Sequence, residues 1–220
     1  MQPNGYVFVA ACTFFGRACG YVIFRVPRLK KNIYINSIMF ETIYEYQKGR
    51  IKVQQLGFTI QAIVLDGRPG VRNLFSDIPV QMCHFHQKQI IRRYLTCNPK
   101  LEAGIELKAI VETLANTTEE TFTSQFTVWC DKWDSFLKER TTDPLTKRWS
   151  YTHKRIRSAR RSLKINLPFL FTHLAYPELN IPNTTNSLDG SFSFLKEKTN
   201  IHRGMNKENK NKIIEYLLNN

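Results

Sequence analysis

Residues 60–95, IQAIVLDGRPGVRNLFSDIPVQMCHFHQKQIIRRYL, contain two strand ends on which the reading of the whole chain turns. Residues 60–65 are a continuous apolar run of strand length, as expected of a strand buried on both faces, and the run stops at Asp66-Gly67. Residues 78–82 form a second, shorter strand that stops at Cys83-His84-Phe85-His86. Asp-Gly by itself is ordinary turn chemistry. A carboxylate at one strand mouth, with a thiol and two imidazoles at the next, is a candidate site. Beyond it, residues 87–95 turn helical, with Ile90, Ile91, Tyr94 and Leu95 on one side and Lys88, Arg92 and Arg93 on the other.

Upstream, residues 6–12 and 20–26 are β-rich runs separated by Gly16 and Gly20, which predicts a hairpin or meander. Residues 31–40 predict a third strand, through Ile33, Ile35 and Ile38. Residues 41–57 predict a helix that puts Ile43, Tyr44, Ile51 and Leu56 roughly on one face and stops at Gly57. Downstream, about a hundred residues read as helices. Ala103, Leu107, Ile110, Val111 and Leu114 recur at helical spacing, and Thr117 with Glu120 suggests a capping box. The stripe Phe122, Phe126, Trp129, Trp133 and Phe136 is read as core. Residues 141–149, TTDPLTKRW, read as a loop, residues 151–164 as a helix, residues 176–186 as a Pro/Asn-rich loop and residues 187–198 as a last helix.

The 220 residues suffice for one sizeable core or for a domain carrying a large insertion. A formal net charge of +14 favours a polyanionic partner, most often nucleic acid. Five irregularly spaced cysteines, with no signal peptide ahead of them, argue against a disulfide framework and for a reducing, intracellular setting. The apolar runs fall far short of the roughly 20 residues that cross a bilayer, so no membrane anchor is expected. One helix opposes Ile156, Ala159 and Leu163 to Lys154, Arg157, Arg161 and Lys164. That cationic side, with Arg92, Arg93, Lys196, Lys198, His202 and Arg203, is the candidate for sequence-independent, salt-sensitive contact with a DNA backbone.

Four early strands, a strand-end aspartate, a fifth strand and a late helix opening with Asp189 make the order of an α/β ribonuclease-H-like mixed sheet, three antiparallel strands followed by two parallel ones. In that fold the first and fourth strands lie side by side and the late helix lies against them, so the acids meet. About three carboxylates there hold two divalent metals roughly 3.5–4 Å apart, which activate a nucleophile and stabilise the leaving oxygen. Asp66 and Asp189 are two such acids, and Asp189 stands in a first helical turn, where the macrodipole favours a carboxylate. Cys83, His84 and His86 also invite a zinc reading, but a structural zinc site wants four ligands and no second pair has suitable spacing.

These residues carry a resemblance. AIVLDG, IPVQMCHFHQKQIIRRYLT, WCDKWDSFLKERT, YTHKRIRSARRSL and IPNTTNSLDGSFSFLKEKTNIHRG together resemble DDE transposases of the Mutator-like (MULE-type) bacterial insertion-sequence group, over essentially the whole chain. The most specific parts are Cys-x-x-His at Cys83 and His86, and Asn-x-x-acid at Asn186 and Asp189. The resemblance implies a core in residues 1–96, an all-helical insertion in 97–180 and helices completing the core in 181–220. It implies Mg²⁺ (or Mn²⁺), two ions in an intact site, held by Asp66 and Asp189, with Cys83, His86 and Asn186 in support. It also implies DNA partners (transposon ends and target), a homo-oligomer on DNA, and a cytoplasmic, nucleoid-associated setting in a bacterium.

Two departures qualify it. The family pattern Asp-x-Thr-Phe-Phe-Gly, which carries the first acid, stands here as Ala11-Cys12-Thr13-Phe14-Phe15-Gly16. A methyl group ligates nothing, and a thiol is too soft to replace it for a hard cation. Only five residues precede the first strand, whereas the family carries an upstream end-binding module, so a truncated transposase is expected. The expectation is a transposase catalytic domain for metal-dependent DNA cleavage and strand transfer, impaired at Ala11, or else a non-catalytic DNA-binding remnant of one.

Overall fold

The computed structural model describes residues 5–16, 19–68, 70–201 and 206–219. By internal contacts the chain forms two compact units, one made of residues 1–83 and 172–220, the other of residues 84–171.

The first unit is α/β and begins with β1 (Gly5–Phe14), β2 (Gly20–Val26), β3 (Lys31–Ile38), α1 (Ile43–Gln55), β4 (Thr59–Leu65) and β5 (Val80–Met82). The strands make a five-stranded mixed sheet in the order β3-β2-β1-β4-β5. β1 and β3 pair antiparallel with β2, while β4 is parallel to both β1 and β5, so β2 runs against the others. The predicted hairpin and the buried run at residues 60–65 are thus observed, and the interior position of β4, flanked by β1 and β5, explains its lack of polar alternation: Ile63 and Val64 are fully buried.

Alternation along β1 sends neighbouring side chains to opposite faces. Phe8, Ala10 and Cys12 turn one way and Val9 and Ala11 the other, into a cluster described below. On the first face α1 packs through Tyr46, Gly49 and Val53. The predicted face of this helix is corrected here: Ile43, Tyr44, Ile51 and Leu56 are 43%, 61%, 47% and 51% exposed. The glycine is the reason. With no side chain at Gly49 the helix approaches the sheet closely, and the Phe24 ring lies where a Cβ would be. Phe24 also meets Tyr34, Tyr46 and Phe75 at 5.9, 6.3 and 6.4 Å between ring centroids. Arg50, next along the helix, grips Asp77 with both guanidinium ends at 2.9 and 2.5 Å.

The second unit contains α2 (His84–Leu95), α3 (Glu102–Glu112), α4 (Glu119–Lys132), α5 (Asp134–Lys138), β6 (Arg140–Thr142), β7 (Trp149–Tyr151) and α6 (Lys154–Asn166). Phe122, Phe126 and Trp129 of the aromatic stripe are buried, and the Trp129 indole donates to Ala103 O at 3.0 Å. Trp133 and Phe136 are only half-buried: Trp133 donates to Glu106 and Phe136 stacks on His153. Two buried polar side chains on α2 take hydrogen bonds within this unit. Asn166 donates to Gln87 at 2.6 Å, and His84 Nε2 lies 2.6 Å from Leu170 O.

Two expectations in this unit are corrected. The cap of α4 is Thr118, not Thr117: its hydroxyl accepts the Thr121 N–H at 3.2 Å. Residues 141–149 are not a plain loop, because Arg140–Thr142 pairs antiparallel with Trp149–Tyr151. Asp143 shapes the turn by accepting the Leu145 and Thr146 N–H groups, and the Arg140 guanidinium rides 4.1 Å above the Trp149 ring.

The first unit resumes with α7 (Thr172–Ala175), α8 (Asn186–Ile201) and α9 (Lys207–Asn219). Here α8 starts one residue before the predicted 187, and the preceding loop carries a 3-10 turn at Pro177–Leu179. Leu188, Phe192 and Leu195 of α8, with Ile214 and Leu218 of α9, close over Val9, Ala11, Ile23, Ala62, Val64 and Cys83 as one buried cluster. Burying each large apolar side chain contributes roughly 1.5–3 kcal/mol. α9 is also tied to the sheet by polar contacts: Cys19 to Asn211, Lys210 to Phe15 O, and Asn32 to Leu218 O.

Candidate functional site

The parallel register pairs Ala10 with Leu65, which sets Ala11 and Asp66 side by side where β4 ends. Asp66 is half-buried and its Oδ1 accepts the Arg68 N–H at 3.3 Å, across Gly67 in a left-handed conformation (φ +90°). That short turn is why an Asp-Gly pair stands here, and it fixes the carboxylate at the strand mouth.

An acid that sequence reasoning missed stands nearby. Glu41, just before α1, accepts the Tyr46 O–H at 2.9 Å and pairs with the Arg68 guanidinium at 3.2 Å. Burial first, and the negative charge of Asp66 second, hold its carboxyl above the usual range, against the pull of Tyr46 and Arg68. Burial likewise pushes the Cys12 thiol up to about 12, with Glu41 and Asp66 adding to the shift, so Cys12 is a neutral thiol at physiological pH. Arg68 thus touches both acids, one through its main chain and the other through its side chain. The only sequence signal was an acid at a helix start, which says nothing of the Arg68 partner 27 positions away.

Because the folded chain holds the Glu41 proton more tightly than the unfolded chain, the associated stability is complete below the ordinary value of 4.5 and is lost as pH rises through the raised folded value. Glu41→Gln is expected to raise the melting temperature at pH 7 and to leave it unchanged at pH 4. Thermal unfolding at both pH values checks this, and a variant less stable at pH 7 would mean that the Arg68 pairing outweighs burial.

The second predicted acid is held from another side. Cys83 N–H donates to Leu65 O at 2.9 Å, so the cysteine begins where β5 leaves β4. The Thr185 N–H donates to Cys83 Sγ at 3.3 Å, and the Thr185 hydroxyl donates to Asp189 Oδ2 at 2.7 Å. A hydroxyl has one proton, so in the 3.3 Å contact between Cys83 Sγ and Thr185 Oγ1 the thiol is the donor. The result is a directed chain, Cys83 S–H to Thr185 O–H to the Asp189 carboxylate, that fastens the first turn of α8 to the end of β5. Thr185 is fully buried and was missed in sequence. Asn186, the neighbour that was singled out, is exposed.

The other predicted residues divide by placement. His86 is on α2 in the second unit, its ring 5.5 Å from that of Phe85. Arg92 pairs with Glu112 at 2.8 Å. Arg157 donates to Leu137 O and lies 3.4 Å over the Tyr151 ring. Arg93, Lys154, Arg161, Lys164 and Lys196 are exposed. Arg203 and His202 lie outside the described residues. A paired-metal site needs about three carboxylates. Asp66 and Asp189 are the two that would hold Mg²⁺ or Mn²⁺, but the slot beside Asp66 is the methyl of Ala11, packed in the apolar cluster. Among the described residues no group of three histidine, cysteine, aspartate or glutamate side chains could hold a metal ion. The donor set does not fit a metal pair.

Among the described residues no helix is long and apolar enough to cross a membrane. Comparison with protein-family models, curated proteins and solved structures finds no match to this chain.

Proposed function

We propose that the chain is a ribonuclease-H-like transposase core of the Mutator-like group that keeps the DNA-handling fold and has lost the complete acid set, so that it binds DNA without efficient cleavage. The sheet order supports this reading: β1 lies against β4, and α8 covers the cluster into which Ala11 points. The single observation that carries it is Asp66 at the mouth of β4 beside Ala11, with Asp189 opening the late helix and fastened through Thr185 to Cys83 at the mouth of β5. Loss of one charged ligand costs several kcal/mol of transition-state stabilisation, and each ~1.4 kcal/mol is tenfold in rate. The partner is DNA, which suits the net charge of +14 and a nucleoid-associated setting.

The test is nicking of supercoiled plasmid in Mg²⁺ and in Mn²⁺, with duplex binding measured alongside. The expected result is salt-sensitive binding with nicking at background. Metal-dependent nicking by the unaltered chain that disappears in Asp66→Asn would overturn the loss of cleavage. Absence of any DNA binding at low salt would overturn the reading as a whole.

A further inference from the structure

On the flank of the first unit a cavity of about 530 Å³ opens between the β2–β3 turn, α8 and α9. One wall is cationic, with Arg25, Lys30 and Lys31, and the other is apolar and aromatic, with Phe194, Leu195 and Leu217. The cationic wall is built. Arg25 donates through Nη1 to Asn32 at 2.8 Å, and Asn32 donates to Leu218 O at 2.7 Å, which fixes the guanidinium against the end of α9. Lys30 holds a left-handed backbone (φ +54°) that closes the turn on Pro27 O.

Unlike the arginines held in ion pairs, these three cations have no carboxylate counter-charge among the described residues. Arg50, Arg68, Arg92 and Arg160 each face a carboxylate. Among the described residues none pairs with Arg25, Lys30 or Lys31. Arg25 Nε has no hydrogen-bond partner among them, and burial pulls the guanidinium down from its ordinary value. A partly desolvated cation with unspent donors is costly unless an anion meets it. Opposite, Phe194 is 49% exposed, with the Lys198 ammonium 5.4 Å from its ring.

We propose that this cavity seats an unpaired nucleic-acid strand, with a backbone phosphate on Arg25, Lys30 and Lys31 and the adjoining base on the Phe194 ring. Phosphate next to an aromatic platform is the chemistry of single-strand sites. A duplex presents the phosphate but keeps its bases stacked on one another, so the ring would be unused. The site stands apart from the predicted acids. At 3.6 residues per turn, Ser191 and Phe194 lie more than a third of a turn round α8 from Asp189. The inference therefore does not depend on the transposase reading.

The experiment is fluorescence anisotropy of the full chain with an oligothymidylate of about 15 nucleotides, a length that spans one such site, in EDTA over a salt series. Lys30→Gln/Lys31→Gln, both at exposed positions, is expected to weaken binding and to reduce the salt slope by about 1.4, two phosphate contacts at roughly 0.7 each. Phe194→Ala is expected to lose about tenfold or more for the single strand, with the salt slope kept and duplex binding unchanged. Asp66→Asn, which probes the acid site, is expected to leave single-strand binding as it is, so failure of one reading is distinguishable from failure of the other. Unchanged affinity and slope in the lysine variant, in a chain whose circular dichroism matches the parent, would sink the proposal. So would equal loss of duplex binding in Phe194→Ala, or full competition by thymidine monophosphate at the oligonucleotide's own concentration.

Discussion

Ala11→Asp, the substitution that restores the first acid of the family pattern, is expected to destabilise the chain by about 3 kcal/mol at pH 7. Ala11 is 2% exposed and packs with Val9, Ile23, Val64, Leu188 and Phe192. A carboxylate placed there loses its hydration with no cation to meet it, and a buried polar group left unpaired costs roughly 1–3 kcal/mol, with a charge costing more. The added volume brings a further overpacking cost of about 1–3 kcal/mol. At roughly 2–4 °C per kcal/mol for a chain of this size, the melting temperature falls by about 6–12 °C. The sign with pH follows from the raised acid: the folded state holds the proton more tightly, so the penalty shrinks towards pH 4 and is full at pH 7. If the slot is the vacated third of a metal site, millimolar Mg²⁺ returns about 1.4 kcal/mol at a concentration ten times its dissociation constant. Thermal unfolding with and without Mg²⁺ decides between a ligand slot and a plain core position. No response to Mg²⁺ would remove the main structural support for the transposase reading.

Gly49→Ala inverts a familiar rule. Within a helix the change normally stabilises by about 0.5–1 kcal/mol. Here the new Cβ would run into the edge of the Phe24 ring. Phe24 is fully buried among Tyr34, Tyr46 and Phe75 and has nowhere to move. Overpacking exceeds the propensity gain, and urea unfolding is expected to show a net loss of about 2 kcal/mol in stability. The double variant with Phe24→Leu supplies the control. Leucine withdraws the ring edge from the methyl, so the pair is expected to lose at least ~1 kcal/mol less than the sum of the single losses. Simple additivity would show that the close approach of α1 to β2 is not what Gly49 serves.

Parts of this architecture were legible in sequence because they rest on period and length. The run at residues 60–65 had the length and composition of a strand covered on both sides, and Ile156, Ala159 and Leu163 marked the inner side of α6 correctly. The inner face of α1 was misread because hydrophobicity points to Ile43, Tyr44, Ile51 and Leu56, whereas shape selects Gly49. The β6–β7 ribbon was missed because three residues a side give almost no alternation to read. At the candidate site, Asp66, Cys83 and Asp189 were visible as reactive groups at element ends. Thr185 and Glu41 were not, since a buried hydroxyl and a half-buried acid declare themselves only through partners distant in the chain.

The discontinuity of the first unit bears on its synthesis. The ribosome releases β1 through β5 long before residues 181–218, which supply Ile181, Leu188, Phe192, Leu195, Ile214 and Leu218 to one side of the sheet. Residues 84–171 are a single uninterrupted stretch and can fold as they emerge, while the sheet waits with Val9, Ile23 and Val64 uncovered. The helices α8 and α9 act as a closing clasp. A chain released early, or shortened at its end, would present a bare apolar sheet to chaperones and to other nascent chains.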